Sequence, residues 1–194
     1  MISTAELVAR FNSVIADLRA KTNASRTTLR LEDAERGFQI DGVVAESLAP
    51  GVKPIAAETS LQQRNLLTTE YLRQHRQILV QNDCVNAGLQ FPEELMRIYG
   101  TKAQMIAPIV RADEMVVGWI SVHHDESARQ WTREDVVALE AAVDATQKAM
   151  DAISATGPGN SSEVQTEVPA PEAPIDSARL HATKKVPEPD SMGG

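Results

Sequence analysis

An α+β fold built on an antiparallel sheet is predicted by two observations. Helix-periodic apolar patterns stand at the two ends of residues 3–153, and runs with a period of two lie between them. A chain of 194 residues with 42% hydrophobic and 24% charged residues is long enough to bury one ordinary core.

The first helix is announced by Ser3-Thr4-Ala5-Glu6, a pattern in which a hydroxyl and a carboxylate reciprocally satisfy free backbone N–H groups. Leu7, Phe11, Val14 and Leu18 follow at spacings of four, three and four, and Lys21-Thr22-Asn23 supplies a positive charge and a stop. Arg26–Glu32 then alternates Thr27, Leu29 and Leu31 against Thr28, Arg30 and Glu32, a strand with one face on the core. A second strand region is expected over Phe38–Ile40 and Val43–Ser47, punctuated by Gly37 and Asp41-Gly42. Leu61, Leu66, Leu67, Tyr71 and Leu72 place a helix within 59–76, Ile78–Asp83 reads as a strand, and Pro92–Tyr99 as a short helix ended by Gly100. Ala107–Val110 and Val116–Val122 form a strand pair. The closing helix begins at Thr132 and carries Val136, Leu139, Val143, Thr146, Met150 and Ile153 at alternating spacings of three and four.

The adjacent apolar residues Val8, Ile15, Val137 and Ala141 widen both terminal helices beyond a single seam. A helix-mediated homodimer through Leu7, Phe11, Val14, Leu18, Val136, Leu139, Val143 and Met150 is the reading this favours, and plain coverage of the domain's own core is its alternative. Residues 156–194 hold six prolines and no aromatic residue, and read as a disordered acidic tail. Within it, Ile175–His181 is long enough for a couple of helical turns against a partner. A formal charge of −8 argues against phosphate-backbone binding, so no nucleic-acid partner is expected. The N-terminus lacks a secretory pattern and no run reaches membrane-span length, so a cytoplasmic protein without membrane contact is expected. The single cysteine, Cys84, fits a reducing compartment.

The order Ala107-Pro108-Ile109-Val110, Val116-Val117-Gly118-Trp119-Ile120-Ser121-Val122 and Trp131-Thr132-Arg133-Glu134-Asp135, followed by one long amphipathic helix, resembles the GAF domain family. The resemblance covers roughly residues 3–153 and is strongest at the C-terminal end. It implies a sheet with the terminal helices packed on one face, and with helical insertions roofing a ligand pocket on the other. If Val116, Gly118, Ile120 and Val122 face the helices, alternation turns Val117, Trp119, Ser121 and His123 to the opposite face, the last three on the pocket floor with Arg30 beside them. Tyr71, Asp83 and Cys84 would come from the roof or its hinges. A ligand carrying a carboxylate could use Arg30, whose planar fork pairs bidentately with it.

The chemistry is less specific than the fold. His123 and His124 are neighbours on a strand and point to opposite faces, so no metal site is expected; His75 could sit across the pocket from His123. Asp125-Glu126 reads as a solvated turn pair. Asp83 beside Cys84 would raise the thiol's pKa, the wrong direction for a nucleophile. Free methionine-(R)-sulfoxide reductases of the family rely on several cysteines, bilin-binding members on a cysteine followed by histidine where Val85 stands here, and the cyclic-nucleotide signature is absent. The expectation is a non-catalytic regulatory module that binds a small molecule or a protein partner, its ligand and any cofactor unspecified. The alternatives are a cysteine-dependent enzyme resembling those reductases, and a pure protein-interaction module.

Overall fold

The computed structural model describes residues 2–58, 62–89 and 93–154. The Pro-rich segment 156–194, with Ile175–His181 in it, lies outside the described residues, as do Pro92 and the start of the helix expected from residue 59.

Helix α1 (Thr4–Thr22) starts as its sequence dictates: the Glu6 N–H donates to Ser3 Oγ at 3.2 Å and the Ser3 N–H to the Glu6 carboxylate at 2.7 Å. It stops at Asn23, which adopts the left-handed conformation (φ 46°) that asparagine tolerates. The closing helix α4 (Arg133–Ser154) uses the same device, with the Asp135 N–H donating to Thr132 Oγ1 at 3.2 Å and the Thr132 N–H to the Asp135 carboxylate at 2.9 Å.

Between them lies a five-stranded sheet in the order β2-β1-β5-β4-β3, every neighbouring pair antiparallel. The strands are β1 (Arg26–Leu31), β2 (Ala45–Leu48), β3 (Leu79–Gln81), β4 (Ala103–Val110) and β5 (Val116–His124). β4 and β5 extend past the strand pair expected from sequence, through Gln104 and His123. The strand expected over 38–40 is reduced to an isolated antiparallel bridge between Phe38 and Asp33, followed by a turn closed by the Gly42 N–H donating to the Gln39 carbonyl at 2.8 Å, and only Ala45–Leu48 pairs with β1. The helix expected within 59–76 is likewise shorter: a 3-10 turn at Gln63–Asn65 precedes α2 (Leu67–His75), which ends at Arg76 in the left-handed region (φ 51°). A last short helix, α3 (Glu93–Tyr99), leads into β4 through Gly100 (φ 71°).

The terminal helices pack together on one face of the sheet. Leu7, Phe11, Ile15, Leu18 and Leu139 join Leu29, Leu31, Met105, Ala107, Ile109, Ile120 and Val122 in one buried cluster. Leu7, Phe11, Leu18 and Leu139 are at most 1% exposed, so these four expected dimer contacts are core residues of the monomer. The seam that repeats every three and four residues joins α1 to α4 and to the sheet, and burying each such side chain is worth about 1.5–3 kcal/mol. Val14, Val136, Val143 and Met150 are half-buried at its margin.

The approach of β1 to β5 on this face is close enough to require Gly118. A Cβ there would stand 2.2 Å from the Arg30 carbonyl oxygen and 2.8 Å from a Leu31 methyl. Beyond the sheet's β3 edge, residues 129–131 form a strap. The Arg129 N–H donates to the Asn82 carbonyl at 2.8 Å, the Trp131 N–H to Asn82 Oδ1 at 3.1 Å, and the Trp131 indole N–H to the Gln81 carbonyl at 3.3 Å.

Candidate functional site

The opposite face of the sheet is also buried, and it is polar. Every residue of β1 is buried, so Thr28 and Arg30 do not meet solvent as a half-exposed strand would have them. With Ile120 and Val122 in the helix-side core, alternation turns Trp119, Ser121 and His123 toward α2, α3 and the 3-10 turn, whereas Val117, expected on their face, packs with the helix-side core beside the register irregularity at Ile109–Val110. Those elements close over them. The void between them measures about 20 Å³ and is lined on its floor by Thr28, Arg30, Gln104, Trp119, Ser121 and His123, with Gln63, Leu72 and Tyr99 among the groups above it. That is room for about one water.

Two arginines come from β1, and they differ in how they are neutralised. Arg26, 1% exposed, lies between the carboxylates of Glu46 (3.6 Å) and Asp125 (3.5 Å) and donates to the carbonyls of Lys53 (2.8 Å) and Tyr99 (3.3 Å). Asp125 is therefore a structural counter-ion, which corrects its reading as a solvated turn residue. Arg30, 2% exposed, donates to the carbonyls of Asp41 (2.6 Å) and Ile40 (3.5 Å) and to the Tyr99 hydroxyl (3.3 Å). Among the described residues no carboxylate lies within 4.0 Å of it; Asp41 and Glu46 act on its charge only from a distance.

Tyr99 joins roof to floor. Its hydroxyl accepts from Arg30 and from Gln63 Nε2 (2.9 Å), and its ring stacks on His123 with centroids 6.0 Å apart. Burial pushes its phenol above the usual range, so it stays protonated and neutral. His123 is pushed the other way, to about 3, by burial first and then by the charges of Arg26 and Arg30; it is a neutral imidazole at ordinary pH. Beside it on β4, Gln104 is oriented by a relay of amides. Gln81 donates to the Leu89 carbonyl at 2.8 Å, and Gln104 donates to Gln81 Oε1. This leaves Gln104 Oε1 and His123 Nδ1, on directly paired residues, buried without hydrogen-bond partners.

Of the residues picked out by sequence, Arg30, Trp119, Ser121 and His123 line the void, and Tyr71, Asp83 and Cys84 do not. Tyr71 packs behind Trp119 with Ile40, Leu72, Leu79 and Ile106, its ring 4.5 Å from that of His75. His75 is exposed there and does not face His123. The Asp83 carboxylate accepts from the backbone N–H groups of Val85 (3.0 Å) and Asn86 (3.3 Å), a local turn. Cys84 is buried in a separate cluster with Ile55 and Tyr99, and its thiol is pushed up to about 12, by burial first and by Asp83 second. Gln63, Tyr99 and Gln104 also line it and are not singled out by the sequence. The parity argument applied to Trp119 would have found Gln104, since it alternates with the core residues Met105, Ala107 and Ile109; nothing in the sequence places Gln63 or Tyr99 over that floor. Among the described residues no group of three or more His, Cys, Asp or Glu could hold a metal ion, and no helix is long and apolar enough to cross a membrane.

A helix layer on one face of an antiparallel sheet and a roofed polar floor on the other is an arrangement shared with known proteins. The family model described as GAF domain matches residues 6–150. The chain belongs to the GAF domain family. Among solved structures, the blue-light-absorbing form of the PixJ GAF domain of Thermosynechococcus elongatus superposes with a TM-score of 0.62 at 20% identity, over 78% of this chain and 93% of that one. The photoproduct state of GAF3 from Slr1393 of Synechocystis is similar over 77% and 97% of the two chains, with a TM-score of 0.60 and 16% identity. The chromophore-binding domain of the bacteriophytochrome RpBphP3 of R. palustris aligns over 77% of this chain and 57% of that one, with a TM-score of 0.59 and 17% identity. At these identities the likeness is one of fold. No curated protein sequence matches the chain.

Proposed function

We propose that this GAF domain is a non-catalytic sensory module whose small-molecule seat is the void between Arg30, Tyr99, Gln104, Trp119, Ser121 and His123. The observation that carries this reading is the pair of buried, unpartnered polar atoms, Gln104 Oε1 and His123 Nδ1, on residues lining that void. A buried polar group without a partner costs free energy, and such groups recur where a ligand completes the hydrogen bonding. The solved structures named above include a chromophore-binding domain, which supports a small molecule over a macromolecule at this face. A thiol held near 12 in an apolar cluster supports the non-catalytic reading, and as a lone free cysteine it fits the cytoplasm. Self-association is supported by Val137, 51% exposed beside Ala138 and Ala141 on the outer side of α4, rather than by the buried seam residues.

The test is a fluorescence titration against a metabolite panel on a Trp131→Phe background, in which Trp119 is the sole indole. A ligand in this seat quenches or shifts Trp119, and His123→Ala weakens it several-fold more than His124→Ala, because His124 projects from the opposite face. A ligand lost with His124→Ala and retained with His123→Ala would place the seat on the wrong face.

A further inference from the structure

The seat described above is already filled, by a side chain of the protein itself. The Tyr99 phenol lies with its hydroxyl on Arg30 and its ring on the His123 imidazole, leaving about 20 Å³ beside it. A para-substituted aromatic ring thus spans the two ends of the site. At one end is a guanidinium that is almost fully buried and has only carbonyl and hydroxyl partners, since the two carboxylates that act on its charge, Asp41 and Glu46, lie against Arg64 and Arg26. At the other end are Gln104 Oε1, held as an acceptor by the amide relay from Leu89, and His123 Nδ1.

Resting on the reading of this void as the ligand seat, we infer that its ligand is a small carboxylic acid that also carries an O–H or N–H donor, and that it binds by displacing the Tyr99 phenol from Arg30. The carboxylate supplies what the neutral phenol cannot: a counter-charge, paired bidentately with the guanidinium fork. A buried charge answered only by dipoles is expensive, and replacing a dipole by an anion of matching geometry relieves that cost. The donor at the far end satisfies Gln104 Oε1, which can only accept; the neutral His123 Nδ1 serves as acceptor or donor according to its tautomer. A hydroxybenzoate, whose ring matches the phenol it would displace, is the simplest molecule that carries both groups. Gln63, freed of the Tyr99 hydroxyl, and the left-handed Gly100 beside Tyr99 are the points at which the roof gives way.

The probes are 4-hydroxybenzoate, benzoate and 4-hydroxybenzamide, titrated against the full chain on the Trp131→Phe background with Trp119 emission as the readout. 4-Hydroxybenzoate is expected to bind about tenfold tighter than either relative, benzoate lacking the donor and 4-hydroxybenzamide the charge and the second acceptor oxygen, since one net hydrogen bond is worth about a factor of ten. Tyr99→Ala, which removes the competitor and opens its space, is expected to tighten 4-hydroxybenzoate by a similar factor. Arg30→Gln is expected to erase the advantage of the acid over the amide; if that variant does not fold, Arg30→Lys, which keeps the charge and loses the fork, is expected to reduce it several-fold. Equal binding of acid and amide, no tightening in Tyr99→Ala, or no binding of any probe overturns the acid class. A neutral metabolite that quenches Trp119 in the same background leaves the ligand seat standing while the acid class falls. Binding of the acid without any change in Trp119 emission and unaffected by Arg30→Gln overturns both.

Discussion

A histidine whose imidazole is held at about 3, against an ordinary value of 6.5, stores a pH dependence in the fold. In the unfolded chain His123 takes up a proton as pH falls through 6.5, and in the folded protein it does not, so its neutrality stabilises the fold fully above 6.5 and that contribution is lost as pH falls toward 3. Between pH 6.5 and 4.5, above the range of most carboxylates, unfolding free energy is expected to fall by up to about 1.4 kcal/mol per pH unit from this group. Urea unfolding at a series of pH values checks this, and His123→Gln should flatten the profile. Arg26 lies next to it on β1's partner register, and there the expectation is sharper: Arg26→Leu strands the carboxylates of Glu46 and Asp125 and should cost about 3–5 kcal/mol, read as a fall in melting temperature. Residues of this kind were legible in part. Trp119, Ser121 and His123 could be placed because a strand's alternation fixes all its faces once one is known. Tyr99 and Gln63 reach the site from a helix end and a turn, where no periodicity connects a residue to the strand it will cover.

The strands and helices show where such reasoning holds and where it stops. The α1 cap and the α4 start follow from short local patterns, Ser3 to Glu6 and Thr132 to Asp135, that specify their own hydrogen bonds. The use of each apolar stripe is not local. Leu7, Phe11, Leu18 and Leu139 form a seam that would suit a second copy equally well, and only the presence of α4 against α1 decides that it is internal. Phe11→Glu should therefore unfold the domain, seen as loss of near-ultraviolet dichroism and of a cooperative melt, rather than release folded monomers. Similarly, the alternation of β1 announces a polar face without saying whether water or another layer lies over it; here the layer is the roof. Gly118 carries the tightest constraint on any element. With a Cβ 2.2 Å from the Arg30 carbonyl, Gly118→Ala must push β1 from β5 and should destabilise by at least the 1–3 kcal/mol typical of overpacking, measured by denaturant unfolding.

At the scale of the molecule, residues 156–194 contribute a composition with little apolar surface to bury. Truncation after Ala155 should shift the melting temperature by no more than a few degrees, which a thermal scan of the two chains would show. A five-stranded open sheet has two borders, and each is a template on which a further strand from another molecule can grow. Along the β3 border the strap at 129–131 takes up the outward carbonyls of Gln81 and Asn82, with the Arg129 guanidinium laid 4.3 Å over the Trp131 ring. Two acceptors that a foreign strand would use are thereby spent on the chain's own turn into its last helix, so a loop that looks like a simple connection also blunts one end of a Val80-bearing edge, 42% exposed, against pairing with another molecule.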